Sequence, residues 1–157
     1  MKKLPLNKGL LEDRLLFIER SVRSLERFKS ITPAEFRANP DNFRIAYYDL
    51  YVALEACMDI GAHILSRIPG QKPKSYKDIP MLLSENKLVP EKFATEKLIP
   101  MAGYRNRMTH FYHRLEAGEI LEIIKTSLGD FEEFSRYIKE IIQDPARFGF
   151  PKVNRSG

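Results

Sequence analysis

The chain has 157 residues, 43% hydrophobic and 30% charged, with a formal net charge of +5 and a pI near 9.3. That length and balance describe one soluble globular domain with a single sizeable core, and a basic excess that permits an anionic partner such as RNA without demanding one. The lone cysteine, Cys57, excludes an intrachain disulfide framework and a cysteine-based zinc site, and no apolar run approaches the ~18 residues of a membrane span.

The first residues hold no apolar run long enough for a signal peptide, so the expected compartment is the cytoplasm. Residues 8–30 then read as a helix: Leu11, Leu15, Ile18, Val22, Leu25 and Phe28 recur in steps of four and three, with charges between them. Thr32-Pro33-Ala34-Glu35 is a capping-box start for a short helix that should end before Asn39-Pro40. A second long helix is expected over residues 42–68, capped by Asp41-Asn42. Its apolar face is wide (Tyr47, Leu50, Tyr51, Leu54, Cys57, Met58, Gly61, Ile64, Leu65 and Ile68), enough for more than one neighbour and for a second subunit. Gly61 in mid-helix suggests close approach of another helix. Glu55 and Asp59 share one edge, where a basic partner surface, Arg105 or plain solvent could face them. His63 reads as a packed or capped core histidine. Tyr47, Tyr48 and Tyr51 read as core or dimer contacts in preference to a base-stacking platform.

Pro69 to Lys74 form a basic loop, and Ser75-Tyr76-Lys77-Asp78 starts a short helix to residue 86. Another helix begins at Pro90-Glu91, and Pro100 should kink or interrupt it. Residues 101–115 continue as a helix with a stripe of Tyr104, Met108, Phe111 and Leu115. The last helix spans 119–143, with Ile120, Ile124, Leu128, Phe131, Ser135, Ile138 and Ile142 on its inner face, and Asp144-Pro145 ends it. Residues 146–157 form a basic tail from which Phe148 or Phe150 should dock on the 1–145 domain. The fold class is therefore all-α: an up-and-down four-helix bundle with one or two short extra helices.

Chemistry concentrates in Tyr104-Arg105-Asn106-Arg107-Met108-Thr109-His110-Phe111-Tyr112-His113. On an ideal helix Arg105, Asn106, Tyr112 and His113 point away from the apolar stripe, and His110 lies about 140° from Arg105. Imidazole moves protons near neutral pH, guanidinium grips phosphate oxygens with two parallel donors, and Asn106, Tyr112 and His113 add hydrogen bonds to a substrate. His110 and His113 are i, i+3, a spacing able to hold a metal, but no Cys or repeated Glu-x-x-His supports one.

The spacing of Arg105, four residues, His110, one residue and Tyr112, within Gly103-Tyr104-Arg105-Asn106-Arg107-Met108-Thr109-His110, resembles the signature of the HepT-like family of HEPN-domain proteins. The segment Leu54-Glu55-Ala56-Cys57-Met58-Asp59-Ile60 resembles the second helix of that family. The resemblance covers most of the chain in helix order, though only residues 103–112 are specific. It implies a HEPN-like homodimer whose two motif helices face one another across a cleft, and a metal-independent endoribonuclease toxin needing no cofactor. Arg105 and His110 would be catalytic, and Asn106, Tyr112 and His113 would bind substrate. It also implies a partner, a nucleotidyltransferase antitoxin of MntA type, which silences the nuclease by modifying Tyr112. Two other readings remain: a non-catalytic HEPN module that binds RNA or nucleotide or docks the nucleotidyltransferase, and a purely structural helical dimer.

Overall fold

The computed structural model describes residues 1–153, and among them it is helical throughout, without strands. Four long elements make the bundle: α1 (Lys8–Leu25), α3 (Pro40–Ser66), α6 (Ile99–His110) and α7 (Ala117–Gln143). Between them lie the short α2 (Pro33–Ala38), α4 (Asp78–Glu85) and α5 (Glu91–Phe93). The long helices alternate in direction. Asn7, the cap of α1, meets His63 near the end of α3. Glu55 of α3 meets Arg105 of α6, and Tyr47 meets Met108. The expected up-and-down bundle is therefore the fold observed. No helix of the described residues is long and apolar enough to cross a membrane.

The stripes account for the core. Leu11, Leu15, Ile18, Val22, Leu25 and Phe28 are all buried, the last on a 3-10 turn (Glu26–Phe28) that prolongs α1. The expected α3 face is buried from Leu54 to Leu65, with Tyr51 half-buried and Ile68 buried just past the helix end. On α7, however, Phe134 and Ile141 are fully buried while Ser135 and Ile142 are only half-buried, so the inner face is rotated slightly from the expected one. Phe150 docks at 2% exposure, and Lys3 lies over its ring while donating to the Phe148 carbonyl. Part of the tail therefore joins the core; residues 154–157 lie outside the described residues.

Several helix boundaries differ from expectation, among them two starts. α3 starts at Pro40, with the Asn39 side chain accepting from the Asp41 N–H at 3.0 Å. Proline sits at the first helical turn, where its missing donor would have had no partner. The break that Asn39-Pro40 announces is thus the beginning of the helix. α7 starts at Ala117, two residues before the expected 119. Thr32 caps α2 by accepting from the Glu35 N–H at 3.1 Å, as its sequence pattern indicates. Pro100 interrupts the fifth expected helix through a π turn over Ala94–Leu98, in which the Ile99 N–H reaches back to the Ala94 carbonyl. The wider turn precedes the proline in the first turn of α6.

His63 is a capping group as well as a packed one: its Nε2 accepts from the Asn7 N–H at 3.0 Å. Burial and the neighbouring Arg67 charge both lower its pKa, consistent with a neutral acceptor. Cys57 is wholly buried, and burial pushes its thiol far up, so it is an inert core residue. Gly61 is where α4 meets α3: a Cβ there would overlap Ile79 Cγ2 and stand 3.3 Å from Leu83 Cδ1. Gly61→Ala should therefore destabilise the fold by about 1–3 kcal/mol, despite alanine's better helix propensity. Urea unfolding checks this, and a variant as stable as the parent would refute the close approach.

Candidate active site

α6 is held against α3 by three rungs. The Tyr47 hydroxyl donates to the Met108 carbonyl, Thr109 Oγ1 bonds the Tyr51 hydroxyl at 3.3 Å, and Arg105 pairs with Glu55. Over eight residues of α3 this ladder is about 12 Å long. Tyr47 and Tyr51 therefore hold the motif helix in place, whereas Tyr48 is exposed.

Arg105 departs from the sequence expectation that it faces outward. Its side chain is only 14% exposed. Nε donates to Glu55 Oε2 at 2.7 Å and Nη2 to Glu55 Oε1 at 3.2 Å, a two-pronged ion pair. Nη1 donates to Asn106 Oδ1 at 3.3 Å. The guanidinium lies 4.0 Å from the centre of the Tyr76 ring, and the Tyr76 hydroxyl donates to the same Glu55 at 3.3 Å. Burial works against the charge of Arg105, but its bonds and attraction to Glu55 prevail and raise its pKa above the ordinary value. Five N–H bonds leave the guanidinium, and Glu55 takes the pair on the Nε side. With Nη1 bonded to Asn106 as well, one N–H remains on each terminal nitrogen.

The helix also stops earlier than expected. α6 ends at His110, Phe111 leaves helical geometry at φ −129°, ψ 33°, and Tyr112–Arg114 form a 3-10 turn. A continuing helix would bring the Tyr112 N–H to the Met108 carbonyl. That carbonyl instead accepts from Tyr47. The expected stripe therefore breaks: Tyr104, Met108 and Leu115 pack inward, but Phe111 is 47% exposed. His110 is exposed, and its imidazole bonds no other described residue. Tyr112 is 65% exposed, with its ring edge-on to His113. With Phe111 out of the helix, His110 and His113 no longer share a helical face, and among the described residues no group of three possible metal ligands gathers.

One chain thus holds Arg105, Asn106 and Glu55 together, and presents His110, Tyr112 and His113 separately on the surface. Glu55 as the partner of Arg105 was one of the sequence alternatives. Nothing local in the sequence signals Tyr76, nor Glu119, which accepts from Arg107 at 2.9 Å and from the Tyr104 hydroxyl at 3.4 Å. Burial and the Glu119 charge push the Tyr104 pKa up to about 12. Asp59 pairs with Arg14 at 3.2 Å; burial and the Glu55 charge still raise its pKa. A groove of about 350 Å³ between α1 and α3, lined by Arg14, Phe17, Tyr51, Val52, Glu55 and Asp59 among others, opens beside the pair.

A double-mutant cycle with Glu55→Ala and Arg105→Ala, read by urea unfolding, should give a coupling of about 1–3 kcal/mol. Additive losses would mean that the pair contributes nothing to holding α6.

A family model described as Ribonuclease HepT-like matches residues 18–138. The chain is 26% identical over 135 residues to the tRNA nuclease HepT of Aphanizomenon flos-aquae, covering 84% of this chain and 87% of that protein. It is 34% identical over 85 residues to the mRNA nuclease HepT of Shewanella oneidensis, covering 54% and 63%. A solved structure of the tri-AMPylated Shewanella oneidensis HEPN toxin in complex with MNT antitoxin superposes with a TM-score of 0.74 at 25% identity, over 86% of this chain and 99% of that one. YutE of Bacillus subtilis, a cytosolic protein of unknown function, superposes with a TM-score of 0.75 at 22% identity over 89% and 93%, a likeness of fold alone.

Proposed function

The chain belongs to the Ribonuclease HepT-like family, and from that premise we propose that it is a cytoplasmic endoribonuclease toxin that cuts RNA without a metal, as a homodimer. The observation that carries the reading is the Arg105 guanidinium, oriented by Glu55 and Tyr76 with an N–H left on each terminal nitrogen, on the helix whose last residue is an exposed histidine. The family relatives that act on tRNA and mRNA support RNA as the substrate class.

The chemistry is transesterification followed by release. The ribose 2′-oxygen attacks the adjacent phosphorus and gives up its proton to one imidazole, while the 5′-oxygen leaves and takes a proton from a second. The products are a 2′,3′-cyclic phosphate and a 5′-hydroxyl. One His110 cannot stand on both sides of the phosphorus, and on α6 it points about 140° from Arg105. Two facing copies supply both imidazoles and set one chain's Arg105 near the other's His110. The exposed Phe17, Tyr48 and Phe111 provide apolar surface for such a contact. Arg105 then bonds the non-bridging oxygens, and Asn106, His113 and Tyr112 hold the strand.

His110→Ala should lower kcat/KM on RNA by at least ~10²-fold without shifting the unfolding midpoint, since the side chain is exposed. Arg105→Lys should lower it comparably, because a single ammonium cannot reproduce the fork. Cleavage by the parent chain in excess chelator, with cyclic-phosphate ends, is the expected outcome; an undiminished His110→Ala enzyme would remove the assignment. RNA binding without cleavage by the parent chain would favour the non-catalytic module, which the neutralised Arg105 and its separation from His110 also suit.

The partner is a nucleotidyltransferase antitoxin of MntA type, a pairing supported by the Shewanella toxin seen with MNT antitoxin and carrying AMP. The Tyr112 hydroxyl, exposed beyond the helix end, attacks the α-phosphorus of a nucleoside triphosphate, pyrophosphate leaves, and the phenol proton is released. The added anion blocks the cleft and opposes its cations. Intact-mass measurement after incubation with that partner and ATP should show nucleotidyl additions on the parent chain and none on Tyr112→Phe. Unchanged modification of Tyr112→Phe would place the acceptor elsewhere.

A further inference from the structure

The cations around the motif are mostly neutralised. Arg105 is paired with Glu55, Arg107 with Glu119, and Arg14 with Asp13 and Asp59. A polyanion is attracted by charges that remain free. Free cations also stand around the site: Arg114 rests over Phe111, Arg37 lies against Gly118, and in the loop of residues 69–77 Lys72, Lys74 and Lys77 are exposed and pair with no carboxylate among the described residues.

That loop is fastened to the site. Its Tyr76 supplies the ring beneath Arg105 and bonds Glu55, so Lys74 and Lys77 lie within two residues of it, about 7 Å of chain at most. The backbone is set as well. Gly70 turns it at φ 84°, and the Asp78 carboxylate accepts from the Lys74 and Ser75 N–H groups at 2.9 and 3.2 Å. Asn86 holds Gln71 Oε1 at 3.2 Å. The ladder along α3 runs from Tyr47 up to Glu55, and Tyr76 of the loop bonds the carboxylate at its upper end.

Resting on the ribonuclease reading, we infer that residues 72–77 are a rail for the RNA strand as it leaves the scissile phosphate. Lys72, Lys74 and Lys77 contact successive phosphates and select no base. Such contacts govern affinity and its salt dependence.

The test is the triple variant Lys72→Ala/Lys74→Ala/Lys77→Ala, assayed for cleavage of single-stranded RNA across ~50–200 mM NaCl. KM should rise on the order of tenfold with kcat held, and the slope of log kcat/KM against log salt should flatten by about 2, at ~0.7 per lost phosphate contact. A control, Lys29→Ala/Lys125→Ala/Lys139→Ala, removes equal charge elsewhere and should leave the slope alone. An unchanged slope in the loop variant, equal flattening in the control, or a fall confined to kcat would each overturn the rail. Should the parent chain cleave nothing, the ribonuclease reading fails. The rail is then judged separately by anisotropy of labelled RNA on full-length His110→Ala, with and without the three loop substitutions: the same flattening supports it and equal slopes reject it.

Discussion

A guanidinium brought under cover keeps its charge, so it must find a carboxylate or stay out. In this chain that constraint joins Arg105 to Glu55 and thereby fixes α6 against α3. The other two rungs, from Tyr47 and Tyr51, bond a carbonyl and a hydroxyl and carry no charge. They would tolerate sliding of α6 far better than a two-pronged ion pair does. The same pair recruits Tyr76, whose ring lies on one face of the guanidinium and whose hydroxyl turns to the carboxylate. Side edge and one face are thus occupied and Nη1 bonds Asn106, which leaves one N–H on each terminal nitrogen.

The second determinant is where the helix stops. The apolar spacing of Tyr104, Met108, Phe111 and Leu115 favours five more helical residues than form, and neither glycine nor proline lies among them. The Tyr47 hydroxyl bonds the Met108 carbonyl, the acceptor that the next turn requires. His110 thereby becomes a terminal residue with open space around it, and Tyr112 is carried onto a 3-10 turn instead of round the helix. An imidazole and a phenol hydroxyl are both exposed where that turn is lost.

Helices and core were legible in the sequence where burial follows period, as in α1, whose six stripe residues are all buried. Proline was legible in kind: Pro100 does interrupt its helix, while Pro40 opens one, because a missing N–H is harmless in a first turn and the sequence pattern suits either a stop or a start there. The site was legible as a set of residue types and only partly as a geometry. Glu55 could be named as a possible partner since its edge of α3 was clear from spacing. Tyr76 and Tyr47 could not, because the first arrives on a loop and the second acts across 61 residues on a backbone carbonyl. Outward-facing Arg105 was the natural reading of α6 alone; it fails because the helix has polar company on α3 as well as an apolar bed.

The ion pair also constrains how a site of this kind can work. An Arg105 already matched to Glu55 adds little net charge to its surroundings, so under the proposed ribonuclease reading attraction of RNA and stabilisation of the reacting phosphate are separate tasks. The second is short-range and directional, and a clamped fork suits it better than a mobile cation, because its geometry is paid for in folding. Proton transfer is directional too, yet within one chain His110 diverges from Arg105 by more than a right angle. Arg105 is clamped by Glu55, whereas His110 is an exposed side chain on the last residue of the same helix. Under the proposed ribonuclease reading, a second copy of the helix supplies the convergence, and the divergence within one protomer becomes the spacing between complementary halves of a shared cleft.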